Sequence, residues 1–341
     1  MLLPDTGAAS AEWDAFVASR PDSSFFHLSG WRDVIKRSFG HATPYLISRD
    51  SGGALDAVMP LTEINSRLFG HFLIGNGFTV GGGPLAANPA GLTHVLVEAA
   101  QIGCDRKIAY IELRDCETAG PDWQSKGDLY AGFEGPIARD EADNLKQIPR
   151  KQRAVVRKAL DQGFTISIER SIRPFFDLYA RTLRDHGTPI LPRRYYENLL
   201  TVFGEACEIL TVRKDGVPTA SVMSFFHQGK VLPYYTGSLV EARRSGANDM
   251  MYWALMRRAV ERGATIFDFG RSKVGTGPYS FKSNWGFTPR PLTTQYLLLG
   301  RDSLPNLNPT NPRYAKIIAA WQRLPIPVAN AISPFISRSL A

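Results

Sequence analysis

A lysine framed by aromatic rings stands in DFGRSKVGTGPYSFKSNWGF, residues 268–287, with Asp-Phe-Gly ahead of it and a Gly-Thr-Gly turn between. A cation in such surroundings can steady a phosphate or a developing oxyanion. The Asp-Phe-Gly does not make a kinase, which would also need a G-x-G-x-x-G loop, a strand lysine and His-Arg-Asp before it. A phosphate loop fails too: four residues separate Gly270 from Gly275, but Thr276 stands where the lysine belongs. VGGGP, residues 80–84, opens into no G-x-x-G helix start and reads as a tight turn or bulge at the edge of a cleft.

Other chemistries are poorly supplied. Cys104, Cys116 and Cys207 are odd in number and form no C-x-x-C pair, so neither a disulfide scaffold nor a zinc site is indicated. His27, His41, His71, His94, His186 and His227 show no H-x-x-x-H spacing, and no metal is expected. The net charge of +8 favours an anionic partner: phosphate, nucleic acid or an acidic membrane surface. MLLPDTGAASAEWDAF lacks the basic and apolar regions of a signal peptide, and no apolar run approaches the ~20 residues of a spanning helix. The expectation is a cytoplasmic protein. Its 341 residues suggest two domains or one large one, and its 44% hydrophobic and 21% charged content is ordinary for a globular chain.

The elements that must position Lys282 can be read from turn chemistry. CEILTVRKDGVPTASVMSFFHQGKVLPYYTGSL alternates three strands with Lys-Asp-Gly and Gln-Gly-Lys turns. GANDMMYWALMRRAVERG reads as a helix with Asn248 or Asp249 as N-cap and Gly263 as its stop. The strand TIFDFG and the short helix SFKSNWGF follow. The first half repeats this order: a hairpin in TPYLISRDSGGALDAVMPLTEIN, a Gly-rich strand and loop, a helix GLTHVLVEAAQIG closed by Gly103, and the strand KIAYIELR. Aligning the two helix exits sets Arg114 opposite Arg271, so a duplicated α/β unit is expected. Between the halves, Arg150, Lys151, Arg153, Arg157 and Lys158 crowd a helix whose expected apolar side is Leu145, Val155, Val156 and Leu160.

One loop has its own chemistry. EARRSGANDMM places Arg243-x-x-Gly246-x-Asn248 between a strand and a helix, where acetyltransferases of the GNAT type carry R/Q-x-x-G-x-G/A. There the loop amides and the helix N-terminus hold a pyrophosphate. Asn248 replaces the last small residue, and a plain N-cap loop is the competing reading.

The run hairpin, LPYYTGSL, GANDMMYWALMRRAVERGATIFDFGR and GPYSFKSNWGF resembles the second domain of the FemABX family. That family builds peptidoglycan cross-bridges by moving amino acids from aminoacyl-tRNA onto an amine of a lipid- or UDP-linked peptide. IPRKQRAVVRKALDQG is similar to the basic helix before that domain, and the overall pattern looks closest to Fem-related proteins of PEP-CTERM/exosortase and exopolysaccharide clusters. The resemblance spans nearly the whole chain and is strongest from Leu145 to Pro291. It implies an α/β fold with mixed sheets: two tandem GNAT-like domains with a cleft between them. The first would cover 1–144, with 300–341 packing back on it, and the second 145–299, opened by the basic helix.

The implied activity is amide formation on an amine of a cell-envelope or exopolysaccharide precursor. No Ser-His-Asp or Cys-His order is suggested, so direct attack is expected rather than a covalent acyl-enzyme. The matching FK…WG pattern makes Lys282 the leading catalytic residue. Tyr235 and Asp268 join it, with one of the tyrosines 234 and 235 pointing inward by strand alternation. Tyr234, Arg271 and Tyr279 are candidate substrate contacts. Arg150, Lys151, Arg153 and Arg157 suit an anionic small molecule, a lipid-linked precursor or tRNA, rather than DNA. Arg243, Gly246 and Asn248 are the candidate donor-binding residues. No tightly bound cofactor is expected; the co-substrate is an acyl donor, aminoacyl-tRNA or acyl-CoA. No long charged heptad segment of the kind some tRNA-binding Fem proteins carry is present, so the donor stays open. Two further readings compete: a CoA-dependent GNAT-type N-acyltransferase, and a non-catalytic module binding nucleotide-sugar or polysaccharide machinery. The tail 324–335 either touches membrane or docks on the first domain, and its prolines favour docking.

Overall fold

A computed structural model of the chain describes residues 1–340 except Leu68, Thr118 and 305–311, together with all their side chains but those of Arg243 and 312–315. The chain divides into two compact units. The first holds Met1–Leu129, Leu292–Asn308 and Phe335–Ala341, and the second Tyr130–Pro291 and Pro309–Pro334. The sequence reading puts the boundary at 144/145 and the whole tail with the first unit. Instead the crossing falls inside a strand, and most of the tail belongs to the second unit.

In the first unit come helices α1 (Gly7–Ser19) and α2 (Gly30–Phe39), then strands β1 (Leu46–Arg49), β2 (Leu55–Met59), β3 (Leu61–Ser66), β4 (Gly70–Gly75) and β5 (Leu85–Ala86). Helix α3 (Pro89–Asp105), β6 (Tyr110–Arg114) and the start of β7 (Gln124–Pro136) follow. The β1–β2 turn forms because the Asp50 carboxylate accepts from the Gly52 and Ala54 amides at 2.9 and 3.0 Å. β3 and β4 pair antiparallel, and α3 carries the chain over to β6, which lies parallel to β4. Gly103 does not close α3. It sits inside the helix, where a Cβ would come within 2.3 Å of Leu299 Cδ1, so packing rather than termination requires it.

The second unit adds α4 (Glu141–Gln147), α5 (Arg150–Leu160), β8 (Thr165–Glu169), α6 (Arg173–Asp185) and α7 (Arg193–Phe203). Strands β9 (Cys207–Lys214), β10 (Val217–His227) and β11 (Lys230–Ser238) follow, then α8 (Ala242–Ser245), α9 (Ala247–Glu261), β12 (Ile266–Lys273) and α10 (Gly277–Asn284). β13 (Pro289–Leu298), α11 (Pro312–Gln322) and α12 (Ile326–Ser337) close the chain. β8 to β11 form an antiparallel meander. Its two tight hairpins form at Asp215-Gly216 and Gln228-Gly229, where both turn residues have positive φ and the turn twist matches the strands. Helix α9 crosses to β12, which lies parallel to β11 and antiparallel to residues 130–136 of β7. The first unit repeats that run, with β6 bordered antiparallel by residues 294–298 of β13. An antiparallel strand, a helix, a parallel strand and an antiparallel closing strand therefore occur twice.

The second unit's core packs Phe133, Val222, Val231, Trp253, Phe267 and Trp285 from β7, β10, β11, α9, β12 and the end of α10. Two expected features fall elsewhere. Helix α9 begins at Ala247 behind Gly246, whose φ of +79° links it to the turn of α8, so Asn248 and Asp249 lie in its first turn rather than at its cap. The basic stretch is split by Pro149 into α4 and α5. Val155 and Leu160 of α5 are 39% and 40% exposed, and Gln152, Val156 and Ala159 are the buried side. The described part of the tail is tied to α6 and its exit: the Arg184 guanidinium donates to the carbonyls of Gln322 and Leu324, and Gln322 donates to the Asp185 carbonyl.

Helix α6 rests on β11 backbone to backbone. A Cβ at Gly237 would lie 2.3 Å from the Tyr179 amide nitrogen, which no side-chain adjustment relieves. Gly237→Ala is expected to lower stability by about 3 kcal/mol, a Tm drop of roughly 5–10 °C. Gly277→Ala, with open space around the new methyl, leaves Tm unchanged or slightly raised. Thermal melts of the two variants check this.

Candidate active site

β11 and β12 pair only at Lys230↔Ile266 and Val231↔Phe267, although β11 runs on to Ser238 and β12 to Lys273. Local chemistry explains why they part. Pro233 has no N–H to give a ladder, and Tyr234 is an extra residue opposite the Met223–Ser224 step, a β-bulge. β12 bulges as well: Asp268 pairs with Glu134 and Arg271 with Gly132, leaving Phe269 and Gly270 opposite Phe133 alone, with Gly270 at φ +69°. The sequence marks both places, by a proline within an apolar strand and a glycine within another.

The β12 bulge gathers the charged groups. The Gly270 amide donates to the Asp268 carboxylate at 2.8 Å. The Lys282 ammonium, reaching from α10, donates to the carbonyls of Gly270 and Arg271 at 3.1 and 2.9 Å. It also lies 5.7 Å from the centre of the Phe133 ring. An ammonium has three donors, so one N–H is left beyond these two carbonyls. Lys282 is 8% exposed, and burial pulls it down to about 8, with Arg271 adding to the fall and Asp268 opposing it. Burial raises the half-buried Asp268 carboxyl to about 6. Glu134 adds to that rise, while the Gly270 amide, Lys230 and Lys282 oppose it. The Arg271 guanidinium stacks 4.6 Å from the Tyr130 ring centre. Tyr279 packs edge-on against Phe133 at 5.1 Å, so it shares a neighbour with Lys282.

The two tyrosines of β11 behave differently from a regular strand. The bulge defeats alternation, and both rings enter one aromatic cluster: Tyr234 lies 5.4 Å from Phe225 and 4.6 Å from Tyr235. Tyr235 bonds the hydroxyl of Tyr195 at 2.9 Å, and burial lifts its phenol far above the usual range, so it stays neutral. Lys282, Asp268 and Arg271 thus come together, while Tyr234 and Tyr235 belong to a neighbouring cluster of α6, α7 and β11.

Helix α5 carries the other candidates. Arg150, Lys151 and Arg157 are exposed, with no acidic partner among the described residues. Arg153 is not available in this way, because its guanidinium donates to the carbonyls of Lys146 and Ile148. The donor loop is only partly open. Gly246 is buried, and a Cβ there would lie 3.1 Å from that of Ala159 on α5. Asn248 is half-buried, and the side chain of Arg243 lies outside the described residues. Asp249, which the sequence offers only as a cap, is buried in the first turn of α9 and accepts from Gln152 of α5. Burial raises its carboxyl.

The first unit has the same parting and fills it. β4 pairs with β6 only at Leu73↔Ile111 and Ile74↔Glu112. Residues 76–83 then fold back, so that a Cβ on Gly75 would meet the Gly82 carbonyl at 2.9 Å. Asn76 is fully buried and donates to the Phe26 carbonyl. Arg114, the counterpart of Arg271, pairs with Glu112 at 2.7 Å and donates to the Thr79 carbonyl at 2.9 Å. VGGGP is therefore a tight packing turn.

Residues 145–283 match the family model described as an acetyltransferase (GNAT) domain. Three solved structures share the fold over most of their own length. FemX is 18% identical, with 91% of this chain and 98% of that chain covered and a TM-score of 0.68. A tandem GNAT protein from the clavulanic acid biosynthesis pathway is 12% identical, with 89% and 98% covered and a TM-score of 0.56. The C-terminal domain of a putative lysylphosphatidylglycerol synthetase from Agrobacterium fabrum is 10% identical, with 84% and 91% covered and a TM-score of 0.53. No curated protein sequence matches the chain. The chain is a mixed α/β tandem GNAT fold whose second unit carries a GNAT-type acyltransferase domain.

The Asp268 carboxyl has a folded pKa near 6 against an ordinary 3.8, so the fold prefers its protonated form. Ionisation on raising the pH from 3.8 through 6 therefore takes stability away. Asp268→Asn keeps an oxygen for the Gly270 amide and removes the charge. It is expected to melt about 2–4 °C above the parent at pH 7.5, with the gap closing near pH 4. A parent that melts higher at pH 7.5 would contradict this.

Proposed function

We propose that the chain is an N-acyl- or aminoacyltransferase that forms an amide on an amine of a cell-envelope or exopolysaccharide precursor by direct attack. The observation that carries this reading is the unpaired stretch between β11 and β12, bordered by Lys282, Asp268 and Arg271 in the GNAT-type unit and closed in the other. The amine nitrogen attacks the donor carbonyl carbon. The remaining Lys282 N–H meets the oxygen as it gains charge, where a fixed donor is worth most. The amine proton passes to Asp268, which is ionised above about pH 6. Collapse of the tetrahedral species breaks the bond from the carbonyl carbon to the leaving oxygen or sulfur, which departs as hydroxyl or thiol with the proton returned from Asp268, and the amide remains.

Three features bear on the substrates. Exposed Arg150, Lys151 and Arg157 suit an anionic precursor or a tRNA. At the start of α9, where a CoA pyrophosphate would rest in a GNAT enzyme, α5 covers Gly246 and the Asp249 carboxylate occupies the first turn. That favours an aminoacyl donor held elsewhere, in line with the likeness to FemX. The CoA-dependent reading keeps the support of the acetyltransferase domain match.

Lys282→Met keeps the side-chain length and removes the donor. It is expected to lower kcat by about 10²–10³-fold in a folded protein, and unchanged turnover would exclude Lys282 from the chemistry. The pH profile of kcat/KM should be bell-shaped, rising near pH 6 as Asp268 ionises and falling near pH 8 as Lys282 loses its proton. Thermal melts with acyl-CoA, a UDP-linked peptide and aminoacyl-tRNA, each alone, separate the donors. Stabilisation by the last two and not by acyl-CoA is expected, and a shift with acyl-CoA only would establish the CoA-dependent reading.

A further inference from the structure

Helix α12 is built inside out. Its buried side is Ala329, Ser333 and Ser337, and Ser333 spends its hydroxyl on the Ala329 and Ile190 backbone. Its outward side carries Val328, Ile332 and Phe335, which are 43%, 40% and 79% exposed. These three lie four and three residues apart and so form one stripe along the helix. On α11, Ile317 is 64% exposed while Trp321 is buried. The prolines do not break the helix. Pro327 falls in the first turn, where the missing N–H has no helical partner to lose, and Pro334 is accommodated inside.

The charge around this face has one sign. From Ser303 to Ala341 the chain has no Asp or Glu and four basic residues, Arg313, Lys316, Arg323 and Arg338. Lys316 and Arg323 are exposed, and no described carboxylate pairs with them, while the Arg338 guanidinium donates to the Phe39 carbonyl at 3.2 Å. A helix that turns its large aliphatic and aromatic side chains outward leaves apolar area in water, and the exposed cations Lys316 and Arg323 beside it invite an anionic surface. A second copy is a poor occupant, because two-fold pairing would set this cationic rim against itself.

We propose that α12 and the end of α11 form a docking face for an anionic phospholipid bilayer, with Val328, Ile332 and Phe335 entering the acyl boundary and Lys316 and Arg323 meeting the headgroups. The inference is independent of the acyl-transfer reading, and its test measures binding rather than turnover. The full-length protein is sedimented with phosphatidylcholine vesicles, with and without phosphatidylglycerol. Binding only to the phosphatidylglycerol vesicles, weakened by added salt, is expected. Ile332→Asn with Phe335→Ser should reduce that binding ~10-fold or more, since it scales with buried apolar area, and Arg323→Glu should reduce it too. All of these positions are exposed, so the melting temperature should hold. Absence of binding to phosphatidylglycerol vesicles, or equal binding by the double variant, would overturn the proposal. A Phe335-dependent dimer in analytical ultracentrifugation without vesicle binding would overturn it in favour of a second copy.

Discussion

A buried ammonium is hard to keep in a protein, and the exit of β12 is shaped to keep one. Taking the Lys282 charge out of water is offset by two carbonyls, the face of the Phe133 ring and the nearby Asp268 carboxylate. The two carbonyls belong to consecutive residues, Gly270 and Arg271, and both reach one ammonium at a bulge that Gly270 permits with its left-handed backbone. The bulge in turn ends the regular ladder and fixes Asp268 through the Gly270 amide. Cation, bulge, carboxylate and parted strands are one arrangement.

The two units show how one supersecondary run can be put to opposite ends. Both have a helix crossover between parallel strands that separate after two pairs of residues. In the first, a glycine-rich loop folds into the space and Arg114 is bound to Glu112 and a carbonyl. In the second the corresponding stretch ends in a lysine and an aspartate with displaced acid strengths. Groups with such shifts are concentrated where proton transfer or charge stabilisation is carried out, though structural pairs show them too. Here the pairing with unused sheet length, rather than the shifts alone, sets the second unit apart.

Much of the fold is legible in the sequence, and the departures from it have physical causes. Turns encoded by Asp-Gly and Gln-Gly and the stop of α9 before Gly263 follow from local rules. Gly103 was misread because its glycine answers a contact with Leu299, a tertiary fact invisible to a helix-end rule. The apolar side of α5 was misread because Gln152 is buried for its bond to Asp249, a partner almost a hundred positions away. The tyrosines at 234 and 235 were assigned opposite faces by a period of two that a bulge suspends. Membership of the tail was misjudged for a similar reason: its ties are hydrogen bonds from Arg184 and Gln322 to backbone carbonyls, which leave no trace in hydrophobic pattern.

The path of β7 has a practical consequence. The chain enters the second unit at Tyr130, within this strand, fifteen residues before the matched domain begins. A fragment cut to the match at residue 145 would therefore lose the antiparallel partner of β12 and leave the backbone amides and carbonyls of that edge bare, with only the short pairing to β11 kept. Uncovered strand margins of that kind recruit other chains and precipitate. An excised second half keeps its solubility only if the cut is made upstream of Tyr130.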